Sequence, residues 1–218
     1  MTSSDPGLVV ALQLRGRRVL LVGGGAVAAD KCAKLLAHGA LVTVVAPQLG
    51  PKFVDWTLAS AVVWHRRPFA AADVADQFLV VAATGVSAVD AQVFAACEAN
   101  ATLCNAADVP AACSVFLMAQ RQHGEVVVAA GTAGTAPGLA GRLAEEAADG
   151  LPADVAALVA RYATIRRWIL DTFPDVEHGV RTRILRKLAR EPWENFRCGL
   201  ADQQAQVARE VDRHRTEA

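Results

Sequence analysis

A glycine-rich turn and a few polar side chains at strand ends are the residues of this chain best suited to chemistry. Gly23-x-Gly25-x-x-Ala28 follows directly on the apolar run Arg18 to Val22 and opens a helical pattern. In that setting the first glycine permits a tight turn, and the second lets backbone approach a pyrophosphate. The small third residue lets helix and strand pack closely, while the helix start supplies N–H groups and positive potential. The chemistry is dinucleotide binding, against the plainer alternative of a tight strand-to-helix turn. The second strand ends Val45-Ala46-Pro47-Gln48, with no acid for ribose hydroxyls, so spacing leaves NAD and NADP both open.

Asn105-Ala106-Ala107-Asp108-Val109-Pro110 falls at the carboxyl end of a fifth strand, where open parallel sheets bind ligands. Asp108 there is either a general base or a cap on the turn before Pro110. Gly131 to Pro137 ends one strand and starts a helix, gathering N–H groups and the hydroxyls of Thr132 and Thr135. It suits a carboxylate or phosphate, or else is simple capping by Thr135. The five histidines are isolated, and neither a nucleophile elbow nor a phosphate-loop lysine is present, so no metal site is expected.

These residues need a frame, and the first 110 positions supply one by alternating strands with helices. Strands are predicted over 18–22, 41–45, 61–64, 78–82 and 102–106. Helices are predicted over 27–38, ended by Gly39, and over 87–100, where Ser87 and Asp90 have capping-box spacing. Runs apolar on both faces imply a buried parallel sheet. Positions 115–121 and 125–130 then read as a hairpin, followed by a helix from Pro137 to Asp149 with Thr135 as N-cap. From Leu151 only helical stretches follow, near 152–172, 178–190 and 200–214. The expected architecture is α/β: an open Rossmann-like domain over 1–113, a hairpin-and-helix connector over 114–150 and an all-helical domain over 151–218.

Composition excludes several classes. Lys+Arg and Asp+Glu both number 22, and the zero net charge argues against gripping nucleic acid by bulk charge. With 53% hydrophobic residues the chain is no disordered polyanion, and no apolar run reaches membrane-span length. No secretory leader is read at the start. Five scattered cysteines without a CxxC pair point to reduced thiols and a cytoplasmic location. The charge is uneven, however. Residues 161–190 hold 8 basic and 3 acidic side chains, a net +5 inside a neutral protein.

The order of these pieces resembles the precorrin-2 dehydrogenase family, the dehydrogenase/ferrochelatase modules of siroheme synthesis. The likeness is carried by Leu14 to Ala28, Val42 to Pro47, Ala82-Ala83-Thr84, Asn105 to Pro110 and Gly134 to Ala140, and spans about residues 8–152. It implies NAD as cofactor, with Gly23, Gly24, Gly25, Ala26 and Val27 at the pyrophosphate turn and Thr84 nearby. Pro47 and Gln48 would meet the adenosine ribose through backbone, which accounts for the missing acid. Asp108 matches the catalytic aspartate, while Asn105 and Thr132 fall at the tetrapyrrole site. The implied reaction is oxidation of precorrin-2 to sirohydrochlorin, with ferrous insertion to siroheme as a further activity.

The resemblance also implies a stand-alone enzyme and a homodimer interlocked through the hairpin and its helix. The basic stretch then gains a partner in a polycarboxylate tetrapyrrole, since arginine pairs well with carboxylates. Departures fall at Ala29-Asp30-Lys31, at Gly85 to Asp90 and at Thr132-Ala133-Gly134, where the family pattern differs. A nucleotide-sensing regulatory module and a small oxidoreductase of another substrate are the rival readings.

Overall fold

The computed structural model describes residues 7–107 and 113–216. It contains the strands β1 (Arg18–Val22), β2 (Leu41–Val45), β3 (Val62–His65), β4 (Leu79–Ala82) and β5 (Leu103–Ala106). All five pair in parallel in the order β3-β2-β1-β4-β5. The connections run through α1 (Ala26–Ala37), the short α2 (Val54–Leu58), a single helical turn at Ala71–Val74 between β3 and β4, and α3 (Ser87–Ala99). The Rossmann-like parallel sheet is therefore present as expected.

Both faces of the sheet are buried, because β1 and β4 carry apolar side chains pointing both ways. Val19, Leu21, Val44 and Val81 pack with Ala28, Cys32 and Leu35 of α1. Leu20, Val22, Val80 and Ala82 pack on the other side with Val93 and Cys97 of α3. Helix α1 stops as the sequence requires. Gly39, at φ +73, donates to the Leu36 carbonyl at 2.9 Å, and Ala40 donates to that of Leu35 at 3.1 Å. This pair of bonds closes a helix with a left-handed glycine.

Strands β6 (Ala119–His123) and β7 (Val126–Ala130) form an antiparallel hairpin. Gly124 and Glu125 make its two-residue turn, and Gly124, at φ +60, occupies the first central position. The first hairpin strand was expected from Val115, but it begins at Ala119. Ser114 and Val115 instead donate to the Cys104 carbonyl at 2.9 and 3.1 Å, so this segment runs back along β5. Helices α4 (Pro137–Asp149), α5 (Val155–Thr172), α6 (His178–Leu188) and α7 (Leu200–Thr216) follow.

The chain divides into two compact units. Residues 1–118 and 131–137 form the sheet unit; residues 119–130 and 138–218 form a unit of hairpin and helices. The second has its own core of Leu158, Ile165, Ile169, Ile184, Leu188, Phe196, Val207 and Val211. Tyr162 ties α5 to α6 by donating its hydroxyl to the Leu185 carbonyl at 3.0 Å. Among the described residues no helix is long and apolar enough to cross a membrane.

Candidate functional site

The strand order reverses between β1 and β4, and ligands of open parallel sheets bind at the carboxyl ends of strands flanking such a reversal. The glycine turn stands there. Gly23 leaves β1 at φ +123 and donates to the Val45 carbonyl at 3.0 Å. A Cβ on Gly23 would lie 2.3 Å from the Ala83 carbonyl oxygen, and one on Gly24 would lie 2.1 Å from that of Gln48. Neighbouring backbone thus demands both glycines. Gly25 is different, since a Cβ on it meets nothing within 4 Å.

Gly25 is the N-cap of α1; no side chain caps that helix, and no acid sits in its first turn. The leading N–H groups of a helix lack intrahelical acceptors, and Gly25, Ala26 and Val27 are exposed. The positive end of α1 therefore meets an open approach, which fits an anionic pyrophosphate. Pro47 and Gln48 are also exposed. Gln48 contributes main chain at Gly24, and Gly50 donates to the Gly24 carbonyl at 2.8 Å. These features fit a dinucleotide held largely by backbone.

Thr84 follows β4, but its hydroxyl is directed inward. It donates to Oδ1 of Asp90 at 2.8 Å and accepts the Val86 N–H at 3.0 Å. Asp90 is buried, and the Thr84 N–H also reaches it at 3.3 Å. The expected capping box between Ser87 and Asp90 is therefore not formed. Val86 is the N-cap residue, and Asp90 fastens the loop between β4 and α3. Its depth in the fold, rather than its spacing from Ser87, decided its role.

Asn105 is buried on β5 opposite Val81, on the α1 face of the sheet. Its Nδ2 donates to the Val115 carbonyl at 2.9 Å, while its Oδ1 has no partner among the described residues. A buried amide oxygen left so is costly, and it can accept an N–H from a ligand. Asp108 lies outside the described residues, two positions beyond the end of β5 in sequence.

Thr132 belongs to the sheet unit. Its Oγ1 accepts the Ala136 N–H at 3.0 Å, and Thr135 donates its hydroxyl to the Thr132 carbonyl at 2.6 Å. Capping by Thr135 is thereby corrected: α4 begins at Pro137, and Thr132 closes the turn before it. The Thr132 hydroxyl keeps its proton for an acceptor such as a carboxylate. Ala133 sits in this turn at φ +50, a conformation that crowds a Cβ. Ala133→Gly is expected to stabilise the protein by about 1 kcal/mol, read as a higher denaturation midpoint in urea.

Among the described residues no group of three or more His, Cys, Asp or Glu could hold a metal ion. The thiols of Cys32, Cys97, Cys104 and Cys113 are structural. Burial on the sheet-facing side of α1 pushes Cys32 up to about 11. A hydrogen bond with Cys97, then burial, pushes Cys104 well above the ordinary thiol range, and burial raises Cys113 as well. Cys198 is exposed. A thiolate-trapping disulfide reagent is expected to label one thiol fast at neutral pH, and Cys198→Ser to abolish that phase.

The fold and the site define a dinucleotide-binding domain. A family model described as NAD(P)-binding matches residues 10–119, and the chain belongs to that family. It is 36% identical over 211 residues to a siroheme synthase of Gluconacetobacter diazotrophicus, covering 94% of this chain and 42% of that protein. It is 34% identical over 164 residues to a siroheme synthase of Pseudomonas fluorescens, covering 75% and 35%. The chain thus spans under half the length of these curated relatives. Among solved structures it is similar to SirC, a precorrin-2 dehydrogenase, with TM-score 0.70 and 24% identity over 95% of this chain and all of that one.

Proposed function

We propose that this chain oxidises precorrin-2 to sirohydrochlorin in siroheme biosynthesis, with NAD as hydride acceptor. The observation that carries the reading is the glycine turn at the sheet's reversal point, open at Gly25 and closed by backbone at Gly23 and Gly24. The likeness to siroheme synthases and to a precorrin-2 dehydrogenase supports the substrate. Bound NAD supplies a nicotinamide that takes a hydride, two electrons and one proton, from the macrocycle.

The chain's residues supply the rest. The α1 start and Gly25 hold the pyrophosphate, and Pro47 and Gln48 flank the ribose. The unpaired Oδ1 of Asn105 accepts an N–H, and the Thr132 hydroxyl donates to a carboxylate of the tetrapyrrole. Asp108 takes the proton that leaves with the hydride, and positioning the macrocycle against the cofactor supplies most of the acceleration.

Ferrous ion is proposed as a second substrate at the same crevice, converting sirohydrochlorin to siroheme. A homodimer is proposed through the hairpin and α4. Supporting it, a two-stranded sheet is marginal alone in water, and Val127, Leu139 and Leu143 are exposed. A cytoplasmic location is in keeping with thiols that form no disulfide.

The test is to add precorrin-2 with and without NAD and to follow the tetrapyrrole and NADH absorbances together. An NAD-dependent change in both supports the reading. NAD binding with no tetrapyrrole turnover would overturn it in favour of a sensing module. For the iron step, sirohydrochlorin is supplied with ferrous or cobaltous ion, and a rate no faster than the spontaneous one removes that activity.

A further inference from the structure

The basic stretch of the helical unit does not act as one surface. Arg161 donates to the Phe196 and Cys198 carbonyls, and Arg181 to that of Phe173 at 3.4 Å, so both serve the unit's own fold. Lys187 pairs with Glu210 at 2.7 Å. Arg183, Arg186 and Arg190 are exposed and have no carboxylate partner among the described residues. Elsewhere in this unit ion pairs are common, as in Arg197 with Asp154, Arg142 with Glu146 and Arg215 with Asp175.

Spacing makes these three arginines neighbours. Positions 183, 186 and 187 recur at three and four residues, hence along one face of α6, where like charges repel and weaken the helix; Arg190 follows in the turn that closes it, its N–H donating to the Lys187 carbonyl at 3.1 Å. The opposite face is fixed in the core through Ile184 and Leu188. The charged face lines a groove of about 650 Å³ together with His178 and Thr182, whose Nε2 and Oγ1 lie 3.4 Å apart. A concave, rigidly held, self-repelling row of guanidinium groups is a site for several anionic groups on one ligand.

From Arg183 through the turn after α6 to Arg190 the row spans about 10 Å, at roughly the helical rise per residue. That length suits one edge of a macrocycle bearing carboxylates on short arms, and the planar fork of arginine matches a carboxylate in two bonds. Nucleic acid is the poorer match, since tight binders contact phosphates along several base pairs, and this row is short within a neutral chain. We infer that Arg183, Arg186 and Arg190 form a docking face for the carboxylate edge of the tetrapyrrole substrate. The inference rests on the dehydrogenase reading above and names residues that would recruit its substrate.

Uroporphyrin, a stable octacarboxylate tetrapyrrole, serves as the probe, titrated by fluorescence into the full chain and into R183Q/R186Q/R190Q. Glutamine keeps helix propensity and removes repulsion, so the variant should melt no lower than the parent. Its uroporphyrin affinity should fall at least about tenfold, and its residual binding should respond less to salt. In turnover, the KM for precorrin-2 should rise with kcat unchanged. Equal uroporphyrin affinity in parent and variant overturns the docking face, as does an RNA oligonucleotide binding the parent more tightly than uroporphyrin. If the three arginines hold uroporphyrin but precorrin-2 is not oxidised, the dehydrogenase reading falls alone. If the variant oxidises precorrin-2 at the parent KM, the docking face falls alone.

Discussion

Asp108→Asn is expected to lower kcat for precorrin-2 oxidation by about 10²–10⁴-fold, the usual worth of a positioned base, with NAD affinity unchanged. The proposed reaction removes a hydride and a proton from the macrocycle, and the hydride acceptor cannot also take the proton. A group at the carboxyl end of the sheet must do so. In sequence Asp108 comes two residues after β5, the strand that carries the buried Asn105. Asparagine keeps the shape and the turn-forming tendency of aspartate but has no basic lone pair of comparable strength. A mere turn cap would therefore survive the substitution, and a base would not. The NAD contacts proposed at residues 23–27 lie in the turn from β1 into α1 and use backbone, so the loss should appear in kcat rather than in cofactor binding. Turnover at the parent rate would remove Asp108 from the mechanism.

The frame was legible because its signals are local. Strands buried on both faces read as continuous apolar runs, and Gly39 marks a helix end through one φ angle that glycine takes readily. The glycine turn was legible for the same reason, as Gly23 and Gly24 answer a steric demand of the adjacent backbone while Gly25 leaves the helix start open. Where the sequence misled, a distant contact decided the outcome. Val115 begins a run with strand character, yet Asn105 and Cys104 bind its backbone and draw it along β5. The exposed, polar Ala119–His123 forms the strand instead, held by its register with β7 rather than by its own propensity. Asp90 has the spacing of a capping residue, but once α3 packs on the sheet it lies buried beside Thr84. Spacing cannot report such competition between partners.

Gly24→Ala and Gly25→Ala are expected to fail in different ways, and the contrast separates folding from cofactor binding. At Gly24 the added methyl would stand 2.1 Å from the Gln48 carbonyl oxygen and 3.1 Å from the Leu49 side chain. The first obstacle is backbone, fixed in turn by the bond from Gly50 to the Gly24 carbonyl, so no rotamer change relieves it. Forcing the turn apart should cost about 2–3 kcal/mol and lower the melting temperature whether or not NAD is present. Gly25 has φ −80 and ψ −172, an extended conformation that alanine adopts freely, and its methyl would meet nothing within 4 Å. Stability should fall by no more than about 1 kcal/mol, the difference between glycine and alanine as a helix cap. The methyl would nevertheless project at the exposed start of α1, where a pyrophosphate must approach the N–H groups closely. NAD affinity should therefore drop at least about tenfold in a protein that melts almost as the parent does. Thermal melts paired with NAD titrations check both variants. Unchanged NAD affinity in Gly25→Ala would show that the cofactor does not lie on this turn, because the space left open there would then have no need to be empty.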